Sequence, residues 1–255
     1  MESGRPWPGC GGLCTEPLGF AITMAFQPIL DAESATVFAH EALVRGCEGQ
    51  SAAWVLDQVN DDNRYAFDQA CRVKAIELAA ALGLSERLSV NFLPNAVYQP
   101  ETCIRATLNA ARRTGFPIER ILFEVTEAER VDDVGHLRRI LTEYKRQGFT
   151  TAIDDFGAGF SGLNLLAEYQ PDFVKIDMAL TRGIDADRVR RTIVASILSV
   201  CREIGIVPIA EGIETEGEER ALRQMGIALL QGYRFAKPSL ESLAVPQAPL
   251  PAAAL

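Results

Sequence analysis

Short apolar, β-prone runs alternate with amphipathic helical stretches along most of the chain, and this alternation limits the possible folds more than any other feature. The strand-like runs are Ala21–Ile29, Val37–Leu43, Leu88–Phe92, Ile121–Val125, Thr150–Ile153, Phe173–Ile176, Ile206–Ala210 and a weak one at Ala228–Leu230. Strands that alternate with helices form a parallel sheet, because each crossover helix returns the chain to the same edge. About eight such strands in one domain predict an α/β fold of the (β/α)8 TIM-like barrel type.

The first two runs depart from this rule. Only the short segment Asp31–Ala35 joins them, with no helix between. They are therefore predicted to form an antiparallel first strand pair, so that the barrel is modified at its start.

The clearest helical stretch is Asp132–Gln147, where Leu137, Ile140 and Leu141 recur at helical spacing and Gly148 follows the last turn. Further helices are predicted at about 51–58, 63–82, 102–114, 161–168, 186–204 and 215–225. Gly and Pro are frequent in residues 1–19, which we expect to be a flexible leader. We expect the barrel to span residues 20–244 and residues 245–255 to form a disordered tail.

The amino-acid composition limits the kinds of molecule that the protein is expected to bind. The net charge of -9 and the pI near 4.9 argue against a nucleic-acid polymer, because no basic stripe offsets the excess of acid. No apolar run reaches the length of a membrane span, and the first residues do not have the pattern of a signal peptide. Scattered cysteines without metal-ligand spacing are typical of a reduced cytoplasmic protein; they are Cys47, Cys71, Cys103 and Cys201.

Polar side chains stand where almost every predicted strand ends, the edge at which barrel enzymes place their active sites. They are Glu41, Asn91, Glu124, Asp154, Asp155, Lys175, Asp177, Glu211 and Gln231. A single one of them would ordinarily be a surface residue that closes a strand, but their convergence predicts a site. Six of these side chains offer only hard oxygen ligands, which suit Mg²⁺ or Mn²⁺ rather than structural zinc.

Six oxygen ligands are many for one Mg²⁺ and suit two metal ions bridged by one carboxylate. Such pairs catalyse phosphodiester hydrolysis by activating a water molecule. Lys175 would act there as a base, as a group that orients water or as a phosphate contact. A purely structural alternative is a salt bridge from Lys175 to Asp177 or to a neighbouring acid.

The same residues carry a family resemblance. Glu41-Ala42-Leu43-Val44-Arg45 resembles the signature of the EAL-domain phosphodiesterases, which hydrolyse the bacterial messenger cyclic di-GMP to linear pGpG. The match extends over roughly residues 20–240 and continues in order through Val90-Asn91, Phe123-Glu124-Val125-Thr126-Glu127, Asp154-Asp155-Phe156-Gly157, Val174-Lys175-Ile176-Asp177, Ala210-Glu211-Gly212-Ile213-Glu214-Thr215 and Gln231-Gly232-Tyr233.

The resemblance implies a role for each matching residue. One metal ion would be held by Glu41, Asn91, Glu124 and Asp154. Asp154 would bridge to a second ion that Asp155 and Glu211 complete. The attacking water would be positioned or activated by Lys175 and Gln231, with Asp177 and Glu211 close by, and Glu127 would pin the loop after Asp155. The substrate contacts would be Gln27, Leu43, Arg45 and Glu214.

The resemblance also implies cofactors and partners. Two Mg²⁺ or Mn²⁺ ions are expected, and Ca²⁺ is expected to bind but to inhibit. A homodimer is expected, with the loop near Asp155 and the helix after it at the interface. Two alternatives remain: a catalytically silent cyclic di-GMP receptor or protein-interaction module, and a barrel that uses Lys175 and Mg²⁺ for enolate chemistry.

Overall fold

The strands expected from the alternation are present in the computed structural model, which describes residues 18–126, 134–159 and 162–246. Within these ranges one sheet contains the strands β1 Ile22–Asp31, β2 Thr36–Gly46, β3 Arg87–Asn91, β4 Ile121–Thr126, β5 Thr150–Phe156, β6 Phe173–Ile176, β7 Val207–Ala210, β8 Leu229–Leu230 and β9 Ser239–Leu240. The α-helices are α1 Ala52–Leu56, α2 Arg64–Ala81, α3 Pro100–Cys103, α4 Arg105–Thr114, α5 Val134–Gln147, α6 Gly162–Glu168, α7 Met178–Thr181, α8 Arg188–Ile204 and α9 Glu216–Gln224.

The sheet closes on itself. Strands β2 to β8 follow one another in parallel order, and β1 closes the ring by pairing with both β8 and β2. β1 is antiparallel to both neighbours. The TIM-like barrel with an antiparallel first pair is therefore confirmed, and β9 adds a short extra pairing to β1.

The helices and strands differ from the predicted ones where a segment is too short, or too irregular, to show a helical or strand periodicity. β5 continues past Ile153 through both aspartates to Phe156. The helix predicted at 102–114 begins at Pro100 and is interrupted at Ile104. α7 and β9 were not predicted, because four residues and two residues are too few to show a period. The expectations for residues 1–19 and 245–255 fall mostly outside the described residues.

Two layers of side chains fill the barrel. The lower layer, called the apolar plug here, lies towards the N-terminal ends of the parallel strands and consists of Ile29, Ala39, Leu122, Ala152, Phe173, Ile209 and Leu229. Side chains two residues apart on a strand point the same way. The side chains two residues beyond the plug therefore also point inward. They are all polar and form the second layer, which consists of Glu41, Glu124, Asp154, Lys175, Glu211 and Gln231.

The reversed direction of β1 inverts this order without breaking the layers. Ile29 pairs with Ala39 of the plug, and Gln27 pairs with Glu41 of the polar layer. Gln27 therefore precedes its plug residue in sequence but joins the same polar layer. A larger apolar core lies between the barrel and the surrounding helices. None of the helices in the described ranges has the length and apolar composition needed to cross a membrane.

A buried arginine ties α2 to the outside of the barrel. Arg72 forms an ion pair with Asp68 at 2.6 Å and donates to the hydroxyl of Tyr144 at 2.6 Å. Its guanidinium carbon lies 5.3 Å from the ring centres of Phe92 and Phe123. Asp68 in turn accepts from the backbone nitrogen of Leu93 at 2.9 Å, just after β3. The Arg72–Asp68 pair thus connects α2 to the end of β3, where Asn91 lies.

We predict that Arg72→Met lowers the free energy of unfolding by about 3–5 kcal/mol, because it leaves the buried Asp68 carboxylate without its partner. Urea unfolding followed by circular dichroism measures the change. Arg113→Met is the matched control, since Arg113 pairs with Glu77 on the surface and should cost less than about 1 kcal/mol. Equal losses in the two variants would contradict the importance of burial.

Candidate functional site

One lysine lies at the centre of the polar layer. The Nζ atom of Lys175, on β6, lies 2.7 Å from Glu211 Oε1 and 2.8 Å from Glu124 Oε2. It lies 3.0 Å from Asp154 Oδ1 and 3.2 Å from Glu41 Oε2. Lys175 is fully buried. The acids that pair with Lys175 are therefore the predicted site residues themselves, and they come from four separate strands or strand ends.

Amide side chains complete the layer around Glu41. Asn91 donates its Nδ2 to Glu41 Oε1 at 2.9 Å, and Gln231 donates its Nε2 to Glu41 Oε2 at 2.8 Å. Gln231 also donates to Gln27 Oε1 at 3.3 Å, and Gln27 donates to the carbonyl of Ala236 at 3.1 Å. The amides thus fix the Glu41 carboxylate between β3 and the end of β8.

The pKa directions show that the site is short of positive charge. Burial alone would lower the pKa of Lys175, but the surrounding carboxylates outweigh it and hold the pKa well above its ordinary value. Burial raises the pKa of Glu124 and of Glu211 well above the usual range, although Lys175 opposes the rise. For Glu41, burial also acts upwards, but Lys175 and the two amide donors outweigh it and lower the pKa. One ammonium therefore does not satisfy all the acids at once.

The adjacent aspartates reach the same cleft because the backbone between them is distorted. β5 loses regular register with β6 between Ile153 and Phe156. Asp155 has a φ of 52°, in the left-handed region that non-glycine residues seldom adopt. Burial, followed by the charges of Asp154 and Asp177, raises the pKa of Asp155 to about 6. A bulge of this kind re-aims a side chain, here to bring the second carboxylate beside the first.

The carboxylates form two groups that share Asp154. Ligand atoms of Glu41, Glu124 and Asp154 lie within 4.8 Å of one another, and so do those of Asp154, Asp155 and Glu211. If all five carboxylates are ionised, as metal ligands are, the ammonium of Lys175 leaves four negative charges without a counterpart among them. Two divalent cations would carry that charge. The oxygen donors, their spacing and the charge therefore fit two hard divalent ions.

Most of the predicted site residues line one cleft of about 440 Å³. The predicted residues that line it are Gln27, Glu41, Leu43, Asn91, Asp154, Asp155, Lys175, Asp177, Glu211, Glu214 and Gln231. Glu124 lies beneath them, fully buried against Lys175. Glu127 falls outside the described residues.

Two predicted residues form hydrogen bonds to nearby backbone groups. Arg45 donates to the carbonyl of Val44 at 2.7 Å and does not line the cleft. Asp177 lines the cleft, accepts from the backbone nitrogen of Ala179 at 2.8 Å and caps α7. Among the described residues Lys175 forms its ion pairs with Glu41, Glu124, Asp154 and Glu211 rather than with Asp177.

Sequence reasoning missed three large side chains of the cleft wall. Met178 and Arg182 come from α7 and its end, and Tyr233 follows Gln231. Arg182 forms a two-pronged ion pair with Glu214, at 2.8 Å and 2.6 Å. The available signal was Asp177, a typical helix-capping residue, directly before Met178-Ala179-Leu180, which indicates the start of a helix.

Comparisons with known proteins agree on one family. A model of the EAL domain matches residues 20–238. The "Blue light- and temperature-regulated antirepressor BluF" of Escherichia coli K12 is 32% identical over 220 residues, which are 86% of this chain and 55% of BluF. The "Probable cyclic di-GMP phosphodiesterase PdeD" of the same organism is 37% identical over 131 residues, which are 51% of this chain and 24% of PdeD. The chain thus spans about half or less of the length of these two relatives.

Solved structures give the same picture. A standalone EAL protein from Vibrio cholerae O395, in its c-di-GMP bound form, is 56% identical, with a TM-score of 0.88 over 91% of this chain and 98% of that one. BlrP1 of Klebsiella pneumoniae, as a calcium and cy-diGMP complex, is 32% identical, with a TM-score of 0.84 over 96% of this chain and 60% of that one. BlrP1 also has a manganese and cy-diGMP complex.

We predict that Mn²⁺ stabilises the metal-stripped protein. At about 100 times its Kd the ion should add about 2.7 kcal/mol, which raises the Tm of a chain this size by about 5–10 °C. Asp154→Asn should remove most of this shift, because Asp154 belongs to both carboxylate groups. Differential scanning fluorimetry measures the Tm. The exposed Asp62→Asn should keep the full shift, and an Asp154→Asn protein that also kept it would contradict the assigned ligands.

Proposed function

The chain belongs to the EAL domain family, and from that premise we propose that it is a metal-dependent phosphodiesterase that hydrolyses cyclic di-GMP to linear pGpG. The observation that carries the proposal is the pair of carboxylate groups that share Asp154 and surround Lys175 within one cleft. A purely structural barrel has no need of five carboxylates around one ammonium. The neighbouring structures that contain the same dinucleotide support the substrate.

We assign Glu41, Asn91, Glu124 and Asp154 to one ion, and Asp154, Asp155 and Glu211 to the other. Mg²⁺ or Mn²⁺ would serve, whereas the larger Ca²⁺, with its flexible coordination, should bind but support the reaction poorly. When bound, the two ions supply the positive charge that activates water and stabilises the leaving oxygen. The carboxylates, which the barrel strands hold at fixed positions, select hard divalent ions and keep them close together.

Lys175 and Gln231 are assigned to position the attacking water. The acids keep the Lys175 ammonium protonated in the metal-free site, so Nζ is a hydrogen-bond donor there. Gln231 donates its Nε2 to Glu41, and its Oε1 has no hydrogen-bond partner among the described residues. That oxygen is buried beside the cleft, where it offers an acceptor to a water proton.

The remaining assignments concern the substrate and the loop. Gln27, Leu43 and Glu214 line the cleft and would contact the dinucleotide. Arg45 would bind phosphate with its planar guanidinium, which requires it to release the carbonyl of Val44. Glu127 would anchor the loop after Asp155, and Asp177 would act by holding α7 against the cleft.

We further propose a homodimer in the cytoplasm. The exposed Leu163 on α6, 62% accessible, supports an interface at the helix that follows the Asp155 loop. Light scattering after size-exclusion chromatography tests the dimer. The second candidate function is a cyclic di-GMP receptor or protein-interaction module without catalytic activity, and the similarity to a protein named as an antirepressor favours it.

We predict that Glu41→Ala and Asp154→Asn each reduce hydrolysis at least about 100-fold, because each removes a metal ligand, and loss of a mere hydrogen-bond partner of a ligand already costs about 10–100-fold. Anion-exchange chromatography of reactions with Mn²⁺ and cyclic di-GMP separates pGpG from the substrate. The control is Glu216→Ala, an exposed carboxylate that pairs with Arg220 on α9 and should keep the wild-type rate.

Two results would contradict the enzyme proposal. One is wild-type turnover in either ligand variant. The other is a wild-type protein that binds cyclic di-GMP in calorimetry but forms no pGpG with Mg²⁺ or Mn²⁺, which would support the receptor instead.

A further inference from the structure

The two carboxylate groups differ in how the fold holds them. Glu41 and Glu124 lie within regularly paired stretches of β2 and β4, and Asp154 on β5 is still paired with Thr126 of β4. The second group adds Asp155, with its left-handed backbone, and Glu211, the first residue beyond β7. Ladder hydrogen bonds therefore fix the first group, whereas the second needs other contacts to hold its position.

Glu211 receives such contacts on both sides of its backbone. Its nitrogen donates to the carbonyl of Ile176 at 3.1 Å, and its carbonyl accepts from the Thr181 hydroxyl at 2.5 Å. Thr181 is fully buried at the end of α7. The Thr181 hydroxyl is thus the side-chain contact that fixes the Glu211 peptide where the strand has ended.

α7 is packed directly against this turn. Gly212, the next residue, has a φ of 66°, and a Cβ there would lie 2.3 Å from Cβ of Met178. Met178 is the first residue of α7, so the close approach leaves no room for this four-residue helix to move towards the turn. The distance between Thr181 and Glu211 is therefore set by backbone packing as well as by the hydrogen bond.

The two residues after Thr181 extend the connection to α9. Arg182 pairs with Glu214, and the nitrogen of Gly183 donates to Glu218 Oε1 at 2.8 Å. The other oxygen of Glu218 accepts from the nitrogens of Glu214 and Thr215, at 2.9 Å and 3.0 Å. Three consecutive residues are thereby bonded to the segment that carries Glu211.

We propose that Thr181 is a positioning residue for the second metal ion. Its hydroxyl fixes the Glu211 backbone so that the Glu211 carboxylate lies beside Asp154 and Asp155. The inference rests on the proposed function in one respect, the use of these three acids as metal ligands. Partners of metal ligands, when removed, typically weaken metal binding about 10–100-fold.

The test measures Mn²⁺ binding to the metal-stripped full chain by isothermal calorimetry, with electron paramagnetic resonance of free Mn²⁺ as a second readout. Thr181→Val keeps the shape and removes the donor, and we expect it to weaken one of the two bound ions by at least about 10-fold. The other ion should bind as in the wild type. Thr181→Ser keeps the hydroxyl and should bind both ions normally.

A matched control separates positioning from general stability. Thr151 is also fully buried, and its hydroxyl lies 2.7 Å from the Tyr169 hydroxyl at the opposite end of β5 from the aspartates. Thr151→Val should lower the Tm without changing the affinity for either ion. If Thr181→Val does not fold, Thr181→Ala replaces it, because alanine and serine at this position differ only by the hydroxyl oxygen.

Each remaining outcome overturns the proposal. Normal binding of both ions in the hydroxyl-free variant, equal weakening of both ions, or an equal loss in Thr181→Ser would each exclude positioning by the hydroxyl. If the wild-type protein binds only one Mn²⁺, there is no second ion for Thr181 to position, and the proposal is wrong. Formation of pGpG is scored separately, so a wild type that binds two ions but is inactive contradicts the proposed reaction and leaves this inference standing.

Discussion

The site depends on one buried ammonium that lies among more negative charge than it can neutralise. Lys175 contacts four carboxylates, and Asp155 adds a fifth nearby. Buried acids without compensation are costly, so a fold that keeps them must hold them rigidly and offer a second source of positive charge. Closed strands provide the rigidity, and the arrangement of the oxygen atoms suits divalent ions as the missing charge.

Much of this arrangement was predictable from the sequence because a strand repeats every two residues. Glu41, Glu124 and Asp154 follow apolar residues at that spacing, and parallel strands bring their ends to one rim. The antiparallel start was predictable too, since five residues cannot contain a crossover helix. These conclusions need only local periodicity and connection length.

The particular partners of each side chain could not be predicted in the same way. Lys175 has several acids within reach in any barrel of this pattern, and the choice of Glu211 over Asp177 depends on the four-residue helix that Asp177 caps. Arg45 bonds a backbone carbonyl because its long side chain can fold back. Such choices are decided by packing between elements distant in sequence, which leaves no local pattern.

The barrel itself does not decide what the protein does. Proteins similar to this chain are named as a phosphodiesterase and as an antirepressor, so the function has to be argued from the site and its supports rather than from the barrel. In this chain regular strand pairing holds Glu41 and Glu124, whereas Asp155 lies in the distorted end of β5 and Glu211 is held by a contact from α7. One half of the site can therefore change while the barrel and the other half stay intact.

The two-layer interior also governs which mutations the gene can tolerate. A substitution in the apolar plug changes a volume, and the neighbouring side chains can absorb part of it. A one-residue insertion or deletion between the plug and the polar layer would instead turn every later side chain of that strand to the opposite face. In β6, which has only four residues, Lys175 would then face the helices and Val174 or Ile176 the acids. Insertions and deletions should thus be tolerated only in the loops, where a change in length does not alter which side chains face the barrel interior.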